Sequence, residues 1–174
     1  TRRKNLLLRD LDELVNQQLS KMLFANPRRI DYYDRYQEII DAYNAEQNRA
    51  TIEKTFMDLM ELANSLDTEQ QRYVREGFSS DEELSVYDLL FSENLTKQEI
   101  ETIKKVSVDL LTKIKQQIAK LDHWTDKQET KAIVDNLIRN TLWQELPNSY
   151  DVNDIQTYQK KIYEYVYMRY PEVA

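Results

Sequence analysis

Apolar residues recur along this chain at three- and four-residue steps from one end to the other, the spacing of one face of an α-helix. Leu6, Leu7, Leu11, Leu14, Val15, Leu19, Met22 and Leu23 draw a first stripe that ends near Pro27. Asp31 is placed to cap a second helix carrying Tyr36, Ile39, Ile40 and Tyr43. The pattern then crosses a polar stretch, 44–49, into Ile52, Phe56, Leu59, Met60, Ala63 and Leu66. Unbroken, this second helix would hold about 35 residues and run about 50 Å at 1.5 Å per residue. It is therefore expected as one long helix bridging two parts of the domain, with its polar middle in solvent.

A short helix follows Asp67 and Thr68 and runs to Gly77, which stands where a left-handed C-terminal cap is expected. Ser79 with Glu82, or Ser80 with Glu83, makes a capping box for a helix whose Leu84, Tyr87, Leu90 and Phe91 share a face. Thr96 and Glu99 make another, with Leu95 and Ile100 as the hydrophobic staple around it. Ile100, Ile103, Leu110, Ile114, Ile118 and Leu121 then follow at near-heptad spacing, with Ser107 at the gap, and predict a helix packed lengthwise on an antiparallel neighbour. Thr125 and Gln128 read as the cap of that neighbour, which turns Val134, Leu137, Ile138, Thr141 and Leu142 inward. A last helix carries Ile155, Tyr158, Ile162, Tyr165 and Val166 before Pro171. The pattern predicts an all-α fold, an irregular antiparallel bundle of about seven helices, with no internal repeat.

Composition sharpens this picture by exclusion. The 174 residues hold a single Gly and three Pro, where average usage would give about a dozen Gly and nearly as many Pro. Hairpins, phosphate loops and dinucleotide fingerprints need residues that tolerate positive φ, so β-rich and nucleotide-cradling folds are disfavoured. With no Cys there are no disulfides, thiolate nucleophiles or cysteine-held zinc. The net charge of −7 opposes generic attraction to nucleic acid. No apolar run approaches the roughly 20 residues that span a bilayer, so no membrane partner is expected and the cytoplasm is the expected compartment. The length suits one domain, residues 1–174, or two small helical lobes sharing a hinge, and the single domain is the expectation. Thr1 is not an initiator Met, and 1–4 run straight into a helical pattern, so the chain reads as part of a longer one.

Three features offer candidate chemistry. His123, the only histidine, lies between helices beside Trp124, with neither a nucleophile to activate nor further ligands near it in sequence, and reads as a loop residue. Glu129-Thr130-Lys131 has the Glu-x-Lys spacing of metal-dependent nucleases, but those place the pair on a strand; on a helix, residues two apart diverge. Lys104, Lys105, Lys113, Lys115 and Lys120 make one helix basic, with Lys160 and Lys161 adding to the last. Lys104, Lys105, Lys113 and Lys115 are the candidate DNA-facing residues if the chain is instead a DNA-binding module. Interspersed Glu99, Glu101 and Asp109 fit an ordinary solvated face better. Of the twelve tyrosines, five crowd the last helix, more than one core face accommodates. No catalytic, cofactor-binding or metal-ligating residue is assigned.

The segment 77–90, Gly77-Phe78-Ser79-Ser80-Asp81-Glu82-Glu83-Leu84-Ser85-Val86-Tyr87-Asp88-Leu89-Leu90, resembles a signature of the restriction (R, motor and nuclease) subunits of type I restriction-modification enzymes. His123-Trp124-Thr125-Asp126-Lys127-Gln128-Glu129, leading to Ile138, Leu142 and a proline-bearing loop, resembles a second segment of their C-terminal helical domain. It departs at His123, where an aspartate is expected, and at Leu146-Pro147, where an aromatic is. The likeness covers roughly 36–170; residues 1–30, the N-terminal helix, are only generically similar, which leaves 31–174 as the family-like region. It implies a non-catalytic docking domain in contact with the methyltransferase and specificity subunits, with DNA met through the parent complex. It also implies that ATP, Mg²⁺ and the site-specific, ATP-dependent DNA cleavage belong to other parts of the parent subunit. Gly77, Tyr87 and Trp124 are the expected structural anchors of the two segments.

Overall fold

A computed structural model describes residues 2–172, among which lie eight α-helices, two short 3-10 turns and no strand. The all-α expectation holds, with one helix more than the pattern predicted. The chain divides into two compact units, 1–81 and 82–174.

The first unit is built from α1 (Arg2–Ala25), α2 (Ile30–Ala45), α3 (Arg49–Gln70) and the single turn α4 (Arg72–Arg75). Between α1 and α2 the chain makes a 3-10 turn, Pro27–Arg29, whose cap is Asn26: its side chain accepts from the Arg28 N–H, with Pro27 at the first helical position. Asp31, expected as a cap, lies instead inside the first turn of α2, where a carboxylate is favourable to the helix dipole. The long helix is also corrected. Glu46 and Asn48 are extended, α2 ends at Ala45, and Asn48 caps a new helix by accepting from Thr51 N–H at 2.9 Å and Thr51 Oγ1 at 3.1 Å. The polar middle is thus a helix–helix turn. Without Gly or Pro it looks like a solvated helical stretch; the signal against one helix was the nine-residue step from Tyr43 to Ile52, about two and a half turns, which would put the two apolar stripes on opposite faces.

The break sends α3 back alongside α1, and the two run parallel: Lys4 meets Glu53 at 3.1 Å and Gln18 meets Asp67 at 3.0 Å. Their shared core is Leu8, Val15, Leu19 and Met22 of α1, Tyr36 and Ile39 of α2, and Leu59, Leu62 and Leu66 of α3. Leu8 was absent from the predicted stripe, while its members Leu6, Leu7 and Leu14 are exposed.

The second unit takes in α5 (Asp81–Leu90) from Glu82 onward, α6 (Lys97–Ala119), α7 (Gln128–Glu145) and α8 (Val152–Arg169). The Thr96–Glu99 capping box forms as the sequence predicts. α6 buries Ile103, Leu110, Ile114 and Ile118, with Ser107 donating to the Ile103 carbonyl, and α7 turns back along it. The Thr125–Gln128 cap does not form. Thr125 sits in a 3-10 turn, Trp124–Asp126, and α7 starts at Gln128 without a side-chain cap; the Thr130 hydroxyl donates instead to the Trp124 and Lys127 carbonyls, at 2.6 and 3.1 Å. At α8 a reciprocal box of Asp151 and Asp154 does the capping, an Asp-x-x-Asp variant that the sequence pattern did not flag.

Candidate docking domain and its anchors

Gly77 closes α4 with φ +86°. The Phe78 N–H bonds back to the Tyr73 carbonyl and the Gly77 N–H to the Val74 carbonyl, the double closure of a Schellman motif. A Cβ at this position would meet nothing within 4 Å, so the demand for glycine here is purely conformational.

Trp124 is wholly buried. His123, the residue before it, takes the left-handed conformation at φ +47°, which swings the indole inward from an otherwise exposed turn. The indole N–H donates to the Tyr170 carbonyl at 2.6 Å, and the ring packs edge-on against Tyr163 and Tyr167 at 6.1 and 5.8 Å. The tryptophan thereby joins the α6–α7 turn to the end of α8. His123 itself points to Asp122 and Glu172, at 3.4 and 3.7 Å. Tyr87, nearly buried on α5, packs against Phe91 at 5.8 Å with the Lys104 ammonium 5.9 Å from its ring centre. The crowded tyrosines of α8 divide their work. Tyr165 is in the core, Tyr163 and Tyr167 flank the indole, and the Tyr170 hydroxyl donates to Glu82, which also pairs with Lys115 at 2.9 Å. Burial works to raise the Glu82 carboxyl, but hydrogen bonds from Tyr170 and Lys115 outweigh it and hold it below the usual carboxylate range.

The chain matches, over residues 1–170, the family described as Type I restriction enzyme HindI endonuclease subunit-like, C-terminal. It belongs to that family. No curated protein and no solved structure shows a significant match. The matched range takes in α1 as well as the two segments that carried the resemblance. In this family member the segment 77–90 spans the Schellman turn and the whole of α5, and the Trp124 segment is the turn into α7.

The four α6 lysines are not brought into one strip. Lys104 and Lys115 turn toward Tyr87, Glu82 and Tyr170, Lys113 pairs with Asp109 and Glu145 at 2.9 and 3.1 Å, and Lys105 is exposed. Glu145 is pushed up by burial and by the neighbouring Asp109 carboxylate, with Lys113 opposing both. Glu129 and Lys131 lie in the first turn of α7 and not on a strand. Among the described residues no group of three or more His, Cys, Asp or Glu is arranged to hold a metal ion, and no helix is long and apolar enough to cross a membrane.

Sequence reasoning missed the charged centre of the first unit. Arg29, 2% exposed, donates from Nε to Glu69 at 2.9 Å, from both Nη atoms to Asp81 at 3.1 and 2.6 Å, and to the Met22 carbonyl at 3.3 Å. Arg72 holds the other oxygen of Glu69 at 2.8 Å. Burial would raise Glu69, yet the hydrogen bonds from Arg72 and Arg29 prevail and keep it below the ordinary carboxylate range. The partners lie 40 and 52 residues from Arg29 in sequence, so no local spacing announces them. A signal did exist for the exposed apolar face. Three successive leucines, Leu6, Leu7 and Leu8, sweep about 200° around a helix, more than one core-facing stripe covers, so at least one must face elsewhere.

Proposed function

We propose that this chain is a non-catalytic helical assembly domain that docks a type I restriction endonuclease subunit onto its methyltransferase–specificity core. Translocation and cleavage, with their ATP and Mg²⁺, belong to the rest of the subunit, and DNA is met through the assembled complex in the cytoplasm. The observation that carries this reading is membership, over residues 1–170, of a family named for the C-terminal part of an endonuclease subunit. A family that names one subunit of a restriction enzyme implies a multi-subunit complex, and a helical domain in it serves best as a rigid element of assembly. The alternative, a DNA-binding module using Lys104, Lys105, Lys113 and Lys115, is less well supported, because three of these ammonium groups already face partners within the chain.

Titration calorimetry of the chain against the cognate methyltransferase–specificity complex, without DNA, tests the proposal. Saturable binding is expected. Absence of binding, together with a salt-sensitive affinity of the chain alone for duplex DNA, would select the alternative.

A further inference from the structure

The seam between α1 and α3 on the first unit is apolar and open. The cross-links Lys4 to Glu53 and Gln18 to Asp67 both join residues 49 apart. Since the two contacts are 14 residues apart on each helix, the parallel helices keep one register along the seam, which puts Leu7 level with Phe56 and Leu11 level with Met60. Leu7, Ile52, Phe56 and Met57 line a groove of about 420 Å³. Leu7, Leu14, Met57 and Met60 are 51, 64, 70 and 43% exposed. They are surplus to the core positions on the same helices, and together they make an apolar strip of the kind that marks an interaction site.

The seam is also electrically polarised. α1 and α3 both begin at the Lys4 end without an acidic residue in the first turn, and both end without a basic residue in the last. At the Lys4 end their dipoles add and the cations Arg3, Lys4 and Arg49 outnumber Glu53, whereas at the far end Arg29 on the Met22 carbonyl and Arg75 on the Thr68 carbonyl offset the negative pole. A helix laid antiparallel in the groove brings its own negative end to this positive one. The span from Lys4 to Gln18, roughly 20 Å at 1.5 Å per residue, accommodates about four turns of such a helix. A second copy of this chain would bring a groove to a groove, whereas a single convex helix fits the concavity.

We propose that the α1–α3 groove is the seat of one amphipathic helix supplied by the methyltransferase–specificity core, lying antiparallel to α1 and α3. The proposal rests on the docking reading above. It is tested by measuring the affinity of that complex for the chain carrying Leu14→Glu or Met57→Glu, with Met168→Glu, equally exposed on α8, as the control. Because the altered side chains point to solvent, melting temperatures should stay unchanged. Binding should weaken roughly thirty-fold or more for the two groove variants and hold for the control. The chain has no Cys, so Arg3→Cys and Lys21→Cys each offer a single site for a photo-crosslinker. They should capture, respectively, the C-terminal and the N-terminal end of the same partner helix. If the wild-type chain binds and the groove variants bind equally well, the groove proposal falls and the docking reading stands. If the wild-type chain does not bind, both fall. Crosslinks of the opposite polarity, or crosslinks to a second copy of the chain, overturn the assigned occupant.

Discussion

The two units solve the same problem, holding amphipathic helices together, with different chemistry. Up to Asp81 the cations are nine arginines and three lysines; beyond it they are two arginines and ten lysines. The first unit uses arginine as a buried structural element. Arg29 forks onto Asp81, reaches Glu69, and satisfies the Met22 carbonyl at the end of α1. The second unit uses aromatic side chains with polar tips. Trp124 donates to the Tyr170 carbonyl and Tyr150 to the Leu90 carbonyl, each tying a loop or a helix end while burying a large ring. A planar guanidinium specifies geometry through several fixed donors, and a buried indole specifies it through shape plus one donor. The difference teaches where each unit has apolar surface to spare. With a charged cluster fixing its chain turns, the first unit leaves Leu7, Leu14, Phe56, Met57 and Met60 at the surface, while the second draws most of its large apolar side chains inward.

The sharpest way to break this contrast is Trp124→Ala. Truncating a fully buried tryptophan is expected to cost about 3–5 kcal/mol, with a further cost for the stranded Tyr170 carbonyl. Thermal melts followed by circular dichroism should show a large loss. Tyr87→Ala should act in the same direction, since its ring is nearly buried against Phe91. Unchanged melting with lost affinity for the partner complex would make either residue a binding anchor instead.

Arg29→Met tests the other half. Removing one partner of a buried ion cluster leaves Glu69 and Asp81 without their strongest donor, which typically costs about 3–5 kcal/mol. The cluster also predicts an acid dependence. The folded Glu69 carboxyl titrates below its ordinary value of 4.5, so the unfolded state binds the proton first. Stability from this group is present above that value and is lost as pH falls through the lower folded value. Chemical denaturation between about pH 6 and pH 3 should show this decline in the wild type, with a shallower slope in Arg29→Met. An equal slope in both would mean that Glu69 owes nothing to Arg29.

The smallest effect is expected at Gly77. An alanine there fits the space but not the φ of +86°, so Gly77→Ala should cost about 1 kcal/mol. A neutral or stabilising result would mean that the Schellman turn relaxes at no cost.

Legibility in the sequence followed the range of the interaction. The period of 3.6 gave the helices, and the Thr96–Glu99 box and the Gly77 cap were readable because each is closed within a few residues. The α2–α3 break was missed because no Gly or Pro marks it; its traces were Asn48, which caps α3, and the half-turn shift of the apolar stripe between Tyr43 and Ile52. Nor was the start of α7, where Thr125 and Gln128 have the spacing of a cap but the indole, drawn inward by the left-handed His123, gives the turn a different course. Arg29 with Glu69 and Asp81, and the register of 49 between α1 and α3, are set by tertiary packing and leave no local trace. The surplus of Leu6 and Leu7 beside Leu8 was visible in the stripe, and only the structure separates the core position from the surface ones.

If the α1–α3 groove is the proposed docking site, partner binding engages the first unit and leaves the second untouched. Hydrogen–deuterium exchange of the chain, alone and saturated with the methyltransferase–specificity complex, separates the two units. New protection is expected in the peptides of α1 and α3 around Leu7 to Leu14 and Ile52 to Met60, with α6, α7 and α8 unchanged. Protection confined to the peptides of the second unit would contradict the groove proposal.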